Sequence, residues 1–188
     1  MSYETEIKLR ISNADYIEKK LKELGAELDN IIEEEDYYID LTPCVDMKRN
    51  DIALRIRKSK SLTKGDIVEE VTFKGKRLSE FPKVRKEITV NISNAEKMLE
   101  IFRELGFRNV YTVHKIRKVY ILSNSKVFLD YVEELGYFIE IELLKPMDLA
   151  TLKNELARLF TALNVSERHI ERKTYLELLL EKRGIIFS

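Results

Sequence analysis

Charged residues alternate with less polar ones along residues 4–11 of the chain. The charged members are Glu4, Glu6, Lys8 and Arg10, and the residues between them are Thr5, Ile7, Leu9 and Ile11. Because successive side chains of a β-strand point to opposite faces, all four charges share one face of such a strand. A single strand of this kind is typical of a sheet that has water on one side.

The same alternation returns in later segments of the chain. The polar members of these segments are Arg55, Arg57, Thr72, Lys74, Arg85, Glu87, Lys115, Arg117, Asp130, Glu140 and Glu142. Their neighbours on the opposite face are mostly apolar, as Leu54 and Ile56 are beside Arg55. A pattern shared by so many strands indicates one common charged surface rather than several unrelated solvated faces.

Two amphipathic segments are nearly alike in sequence. The motif Ile-Ser-Asn-Ala begins at Ile11 and at Ile92, and the motif Glu-Leu-Gly ends at Gly25 and at Gly106, so both ends are separated by 81 residues. Each segment has a Ser/Asn helix-start signal, apolar residues at helical spacing and a glycine stop. The repeat predicts a helix after the first strand of each half of the chain.

Turn signals divide the remaining sequence into further strands. We expect strands at 3–11, 27–40, 52–60 and 67–76 in the first half and at 84–92, 107–122, 126–134 and 136–144 in the second. Helical periodicity returns at 148–163 and at 175–182. Short connections favour antiparallel pairing, and eight such strands can close on themselves.

The predicted fold class is α+β: a closed eight-stranded antiparallel β-barrel, or tunnel, made of two βαβββ halves with helices packed outside. An open sheet with helices on one face is the alternative. We expect a single domain over residues 1–188, with a first half at about 1–82, a second half at about 83–145 and C-terminal helices at about 146–188.

The composition argues against several classes of protein. Lys plus Arg and Asp plus Glu each number 33 among the 188 residues, so the formal net charge is zero and no nucleic-acid partner is expected. No apolar run approaches the roughly 20 residues that span a bilayer, so no membrane partner is expected. The single Cys44 cannot form an intrachain disulfide, which favours an intracellular, cytoplasmic location.

A barrel built from these strands would carry its charges inside, because outer helices need the apolar faces. The inward cations would be Lys8, Arg10, Arg55, Arg57, Lys74, Arg85, Lys115 and Arg117, and the inward anions Glu4, Glu6, Glu87, Asp130, Glu140 and Glu142. Such an interior must stay wet or hold compensating charge, because burying unpaired ions is costly. Arg and Lys suit phosphate oxygens, and paired carboxylates suit Mg²⁺ or Mn²⁺, so a metal-bridged polyphosphate would satisfy both sets.

Other polar residues carry no chemical prediction. The acidic run at 33–36 is expected to be a partly solvated strand edge, and 42–46 a loop without a motif. His114 is expected on the face opposite that of Lys115. A lone histidine in such a place is more often a surface residue than a ligand.

The order of the charged motifs resembles that of the CYTH superfamily, also called the triphosphate tunnel metalloenzymes. Glu4-x-Glu6-x-Lys8 is similar to the ExExK signature of that superfamily. It is followed by Asp36-x-Tyr38, Arg55-x-Arg57, Thr72-x-Lys74, Arg85-x-Glu87, Lys115-x-Arg117, Asp130, Glu140-x-Glu142 and Lys173-x-Tyr175. ExExK alone is a weak pattern, whereas in this position and with these companions it is a strong one. The resemblance covers nearly the whole chain and implies an eight-stranded tunnel that binds triphosphates with Mg²⁺ or Mn²⁺.

The resemblance also implies roles for individual residues. The metal ligands would be Glu4, Glu6, Asp130, Glu140 and Glu142. The triphosphate ligands would be Lys8, Arg55, Arg57, Lys74, Arg85, Lys115 and Arg117. The catalytic residues would be Lys8 and Lys173, of which Lys173 matches a C-terminal lysine that helps to orient the attacking water in family triphosphatases.

The motif series looks most like the class IV adenylyl cyclase branch, of the CyaB type, which implies conversion of ATP into 3′,5′-cyclic AMP and pyrophosphate. An inorganic, thiamine or nucleoside triphosphatase is the alternative. A polyphosphate- or nucleotide-binding module without turnover is a third interpretation, from a different class. The expected partner is a small triphosphate such as ATP, tripolyphosphate or thiamine triphosphate, and the oligomeric state is left open between monomer and homodimer.

Overall fold

Eight β-strands form where the sequence alternates charged and apolar residues. The structure, a computed structural model, describes residues 2–42, 44–80, 83–123, 125–144 and 149–185. The strands are β1 (Ser2–Ile11), β2 (Glu27–Ile39), β3 (Ala53–Ser61), β4 (Ile67–Glu80), β5 (Lys83–Asn91), β6 (Val110–Leu122), β7 (Ser125–Val132) and β8 (Gly136–Leu143).

The helices of the described residues are short. They are α1 (Ala14–Glu23), α2 (Met47–Asn50), α3 (Ala95–Glu104), α4 (Leu149–Ala162) and α5 (Tyr175–Lys182), with a 3₁₀ turn at Glu167–His169. Within the part of the chain that the structure describes, no helix is both long and apolar enough to cross a membrane.

The eight strands close into one antiparallel barrel. Around the barrel their order is β1-β5-β4-β3-β2-β6-β7-β8, and β8 pairs back to β1. If β1–β4 are exchanged with β5–β8, the circular order of the strands is unchanged except that it runs in the opposite direction. The two βαβββ halves therefore occupy equivalent positions in the barrel. The closed barrel predicted from the sequence is confirmed, and the open-sheet alternative is wrong.

The two repeated segments form equivalent helices, α1 and α3. At the start of each, the side chain of an asparagine, Asn13 or Asn94, accepts a hydrogen bond from the backbone N–H three residues later. After each helix a glycine, Gly25 or Gly106, has a positive φ of 80° or 95°. This backbone conformation favours glycine, because a Cβ atom makes it costly. The predicted helix boundaries are confirmed.

Apolar side chains of the strands pack outward against helices. α1 and α4 cover one side of the barrel through a cluster that includes Leu9, Leu21 and Leu163. α3 covers another side, where Leu99 packs with Ile56 of β3. Since the side chains of a strand alternate, the polar residues between these apolar ones point into the barrel.

Helix α5 contacts the inner face at one end of the barrel. Its residues Tyr175 and Leu179 pack with Val113, Val132 and Phe138, which lie near the ends of β6, β7 and β8. The rings of Phe138 and Tyr175 are 5.0 Å apart between centroids. We call this end of the barrel the α5 mouth.

Some boundaries differ from those predicted. The single turn α2 was not predicted, because four residues are too few to show helical periodicity. Its N-terminal cap is Asp46, whose side chain accepts a hydrogen bond of 2.8 Å from the backbone N–H of Arg49.

The boundaries of two strands also differ from those predicted. β4 continues to residue 80 through two register shifts against β5. β6 begins at residue 110, since Phe107 packs its ring against Phe102 of α3. Pro146 and Asp148, at the predicted start of the C-terminal helices, lie outside the described residues.

Replacement of Leu99 by alanine should destabilise the fold by about 2–5 kcal/mol, because a fully buried leucine leaves a cavity when truncated. Leu99 is 1% exposed. Leu105, just after the same helix, is 67% exposed, so Leu105→Ala is the control and should change the free energy of unfolding by less than about 0.5 kcal/mol. Urea unfolding followed by circular dichroism measures both. Equal effects of the two substitutions would contradict the packing of α3 described here.

Candidate active site

Neighbouring strands place opposite charges directly across from each other inside the barrel, in the space we call the lumen. The register pairs of opposite charge include Lys8–Glu140, Asp36–Arg57, Lys74–Glu87 and Arg117–Asp130. Residues directly opposite each other in an antiparallel pair share a face, so these side chains meet. The barrel register therefore fills the lumen with ion pairs.

One network of ion pairs is centred on β2. Asp36 accepts two hydrogen bonds from Arg57 and one of 2.9 Å from Lys115. Glu34 lies two residues earlier on the same face, 2.6 Å from Lys115 Nζ and 3.2 Å from Arg57 Nη1. Arg55 Nε lies 3.8 Å from Asp36 Oδ1. Glu34 and Asp36 are only 4% and 1% exposed, so their carboxylates are largely removed from water.

A second network joins β6, β7 and β8 to helix α5. Arg117 donates hydrogen bonds of 2.7 and 2.6 Å to the two carboxylate oxygens of Asp130 and another to Glu140. The hydroxyl of Tyr175 donates to Asp130 Oδ2 at 2.8 Å. Lys8 Nζ lies 3.5 Å from Glu140 and 4.1 Å from the centroid of the Tyr175 ring. Helix α5 is thus linked to the charged interior by the hydrogen bond from Tyr175.

Further cations line the α5 mouth. Arg85 donates hydrogen bonds to the backbone carbonyls of Gly75, at 2.9 Å, and Asp51, at 3.0 Å. The carboxylate of Asp51 accepts a hydrogen bond of 2.9 Å from Arg77 Nε. Arg77 Nη2 also reaches Glu177 of α5 at 3.4 Å. These contacts tie β4 and the turn after α2 to the C-terminal helix.

Burial and pairing shift the pKa values of the lumen groups. Burial lowers the pKa of Lys8, and the attraction of Glu140 offsets this only in part. Burial raises the pKa of Glu34, but the charges of Arg57 and Lys115 outweigh it and lower the pKa to about 2. The Glu34 carboxylate is therefore ionised at neutral pH.

The ion pairs leave little open space inside the barrel. The cavity in the lumen has a volume of about 110 Å³. That is the space of about four liquid water molecules, and ligand sites commonly measure ~300–1,000 Å³. A second cavity of about 520 Å³, the α5 cleft, lies beside α5 and shares the lining residues Ala53, Arg85, Thr174 and Leu176 with the lumen. The site therefore consists of a narrow charged compartment that adjoins a wider one.

Most of the predicted site residues meet around the lumen cavity. Those that line it are Glu6, Lys8, Arg55, Arg57, Lys74, Arg85, Lys115, Arg117 and Glu140. Glu142 lies directly opposite Glu6 in the register of β8 with β1. The backbone of β1 pairs Glu4 with Arg85, but the Glu4 side chain lies outside the described part of the chain. The individual roles of these residues as ligands remain predictions.

Three other predicted residues do not line the lumen cavity. Asp130 is fully buried, and both of its oxygens accept hydrogen bonds from Arg117 or Tyr175. Lys173 lines the α5 cleft rather than the lumen, and its Nζ donates to Glu181 at 2.7 Å. Arg10 lies over the ring of Phe138, 4.7 Å from its centroid, but its side chain is 47% exposed at the barrel rim and does not line the lumen cavity.

The lumen also contains charged residues to which the sequence analysis assigned no role in the site. The expectation of a partly solvated edge at 33–36 is wrong for Glu34 and Asp36, which are buried inside. Lys83 was not predicted either, and its Nζ donates to Glu6 at 2.6 Å. The available signal was the alternation itself, since Glu34 and Asp36 are two residues apart and share one face of β2. His114 lies on the other face, as expected, 3.1 Å from Glu33.

The carboxylates of β1 and β8 are the candidate metal ligands. Their donor atoms are all oxygens, which fits Mg²⁺ or Mn²⁺, and Glu6 and Glu142 face each other across adjacent strands. Among the described residues, no three His, Cys, Asp or Glu side chains are grouped closely enough to hold a metal ion. Glu6 is paired with Lys83, and Glu140 with Arg117. Metal binding at these carboxylates therefore has to replace contacts with lysine and arginine.

The chain matches the model of the CYTH domain family over residues 2–175. It therefore belongs to that family, as its motifs predicted. Membership defines the class of the protein: a metal-dependent enzyme that binds a triphosphate inside a tunnel.

Two relatives and one solved structure are similar to nearly the whole chain. A protein of Methanocaldococcus jannaschii named "Putative adenylate cyclase" is 36% identical over 179 residues, which cover 93% of this chain and 97% of the relative. "Adenylate cyclase CyaB" of Aeromonas hydrophila is 28% identical over 178 residues, covering 92% and 86%. The solved structure of the PH1819 protein from Pyrococcus horikoshii superposes with a TM-score of 0.83 at 36% identity and covers 96% of this chain and 99% of that one.

The Glu34 carboxylate should stabilise the empty protein at neutral pH and lose this effect in acid. Its pKa of about 2 in the folded protein lies below the ordinary value of 4.5, so the stabilisation is complete above pH 4.5 and is lost as the pH falls toward 2. A shift of this size corresponds to about 3 kcal/mol. We therefore expect Glu34→Gln to lower the free energy of unfolding by about 3 kcal/mol at neutral pH and by much less near pH 2.

Urea unfolding in the presence of a chelator, at several pH values between neutral and acid, measures this difference. Glu33→Gln is the matched control, because Glu33 lies on the outer face next to His114. A difference between wild type and Glu34→Gln that does not change with pH would contradict the assignment.

Proposed function

We propose that the protein is a class IV adenylyl cyclase, which converts ATP into 3′,5′-cyclic AMP and pyrophosphate. That it is an enzyme is confirmed by its family and by the enzyme names of both relatives. The choice of cyclisation is supported by those names and by the two-compartment site. The observation that carries the proposal is the α5 cleft.

The lumen supplies the donors that a triphosphate needs. Arg55, Arg57 and Lys115 all line the same cavity. An arginine offers a fork of donors to phosphate oxygens, and a lysine offers a compact charge. The buried Nε of Arg55 has no hydrogen-bond partner among the described residues, so it is a donor that a phosphate oxygen could use. Binding of the triphosphate would replace the carboxylates that now neutralise these cations.

The α5 cleft supplies room for the nucleoside. Its volume of about 520 Å³ falls in the range common for ligand sites, ~300–1,000 Å³. Its apolar lining comes from Met47, Ile52, Leu176, Leu180 and Ile185. A bare tripolyphosphate has no group for such a surface, whereas the base and ribose of ATP do. The cleft therefore favours a nucleotide over an inorganic substrate.

The carboxylates of β1 and β8 would hold the metal. The residues are Glu6, Glu140 and Glu142, together with Glu4 as the ExExK motif predicts. A bound Mg²⁺ or Mn²⁺ would neutralise charge on the transferred phosphoryl group. Lys8 and Arg117 contact Glu140 in the structure, and binding of the metal and the triphosphate would replace these contacts.

In the proposed reaction, the 3′-oxygen of the ribose forms a bond to the α-phosphorus, and its hydroxyl proton passes to solvent water. The bond from the α-phosphorus to the oxygen that bridges to the β-phosphorus breaks, and pyrophosphate leaves. Because the nucleophile belongs to the substrate, the protein has to seat the nucleoside and the triphosphate at a fixed separation. The cations of the lumen stabilise the charge that develops on the pyrophosphate.

Incubation with ATP and Mn²⁺ near pH 8–9 should yield cyclic AMP and pyrophosphate without free orthophosphate. A neutral-to-alkaline pH favours loss of the hydroxyl proton from the nucleophile. Chromatography of the nucleotides and separate assays for the two phosphate products measure the outcome, with tripolyphosphate as the comparison substrate and EDTA as the control. Orthophosphate with no cyclic nucleotide would contradict cyclisation and indicate a triphosphatase.

Replacement of Glu142 by glutamine should lower turnover by at least ~100-fold, because charge-stabilising metals contribute several kcal/mol to catalysis. EDTA should abolish turnover altogether. Glu133→Gln is the matched control, since Glu133 is an exposed residue at the turn after β7. Calorimetric titration with Mn²⁺ gives a second readout, in which only Glu142→Gln should weaken binding. Full turnover by metal-stripped protein would contradict the carboxylate assignment.

A further inference from the structure

Glu34 is a buried carboxylate for which neither the motifs nor the proposed reaction has a use. It lies on the inner face of β2, and its neighbours are two residues assigned to the triphosphate, Arg57 at 3.2 Å and Lys115 at 2.6 Å. A third neighbour is the hydroxyl of Ser59, at 3.4 Å. A buried carboxylate beside two cations that are proposed to bind phosphate needs an explanation, because it would compete with the substrate for these cations.

Glu34 and Asp36 hold the same cations in different ways. Asp36 accepts aligned hydrogen bonds from Arg57 Nε, from Arg57 Nη2 and from Lys115 Nζ. The Oε2 atom of Glu34 is near Lys115 Nζ but not aligned with it, and it has no hydrogen-bond partner among the described residues. Asp36 is therefore anchored by directed bonds, whereas charge attraction and one long hydrogen bond hold Glu34.

Glu34 faces two nitrogen atoms that a phosphate oxygen would also use. Arg57 already donates hydrogen bonds from Nε and Nη2 to Asp36, so Nη1 is the guanidinium nitrogen that remains for another anion. That nitrogen and Lys115 Nζ are the two atoms that face Glu34. With a lumen cavity of about 110 Å³, a triphosphate cannot reach these atoms unless a side chain moves.

We propose that Glu34 is an internal competitor of the substrate: it occupies the anion position at Arg57 and Lys115 in the empty lumen and is displaced when a polyphosphate binds. This inference rests on the proposed function, since it assumes a triphosphate in the lumen. Glu34 thereby stabilises the empty barrel and limits the affinity for the ligand. When product leaves, the carboxylate returns to the same two cations.

The test is the affinity of Glu34→Gln for tripolyphosphate, pyrophosphate and orthophosphate, measured by calorimetry in Mg²⁺ and again in EDTA. The glutamine keeps the size of the side chain but cannot compete as an anion. We expect tripolyphosphate to bind at least about tenfold more tightly than to wild type, the scale of one charge-assisted hydrogen bond. A gain in affinity separates this role from a structural one, because damage to the site would weaken binding.

Glu33→Gln removes the same charge from the outer face of the same strand and should leave the affinity within about twofold of wild type. An equal gain in both variants would reduce the effect to overall charge and overturn the proposal. Weaker binding by Glu34→Gln in both buffers would make Glu34 a residue that positions Arg57 and Lys115. Weaker binding in Mg²⁺ alone would make it a metal ligand. Either result overturns the proposal.

Glu34→Asp covers the case in which the glutamine variant does not fold. It keeps the charge but draws it back by one methylene from Arg57 and Lys115, and it should also tighten tripolyphosphate binding, by several-fold. Failure of both variants to fold would make Glu34 a structural residue and overturn the inference. Failure of the proposed function looks different: wild type would then bind no tripolyphosphate and form no product from ATP.

Discussion

Pairing of opposite charges inside a closed barrel is the interaction on which the rest of the structure depends. Helices α1, α3 and α4 cover much of the apolar outer face of the strands, and the charged faces meet in the interior, where an unpaired ion would cost several kcal/mol. The register between neighbouring strands meets this cost by placing Arg57 across from Asp36 and Arg117 across from Asp130. The lumen charges therefore compensate one another, and a polyanion in the lumen would have to exchange some of these ion pairs for its own contacts.

Helix α5 connects the charged lumen to the wider cleft beside it. Tyr175 at its start contacts both Asp130 and Lys8 in the lumen, and Glu177, two residues later, contacts Arg77 at the mouth. Leu176 lies between them and lines both cavities. One helix thus forms a wall of the lumen and a wall of the cleft, so a substrate that occupied both, as proposed, would have its two parts held by the same helix.

Much of this arrangement could be predicted from the sequence. The barrel and its inner face followed from a period of two, and α1 and α3 from the repeat with its asparagine caps, because these signals depend only on residues close together in the chain. The errors have a common origin. The inner position of Glu34 was missed because an unbroken acidic run hides the alternation, and the exposure of Arg10 because a strand pattern does not show where the lumen ends.

The sequence by itself determined which side chains share a face, where the equivalent helices begin and end, and which residue types meet in the interior. Only the tertiary structure decided which cation pairs with which anion, that Lys173 lies in the cleft beside Glu181, and that Glu34 and Asp36 divide the donors of Arg57 between them. The physical reason is the separation in sequence over which each interaction acts. Periodicity and capping act within a few residues of the chain, whereas ion pairing depends on the register between strands that lie far apart in sequence and on the closure of the barrel that brings them together.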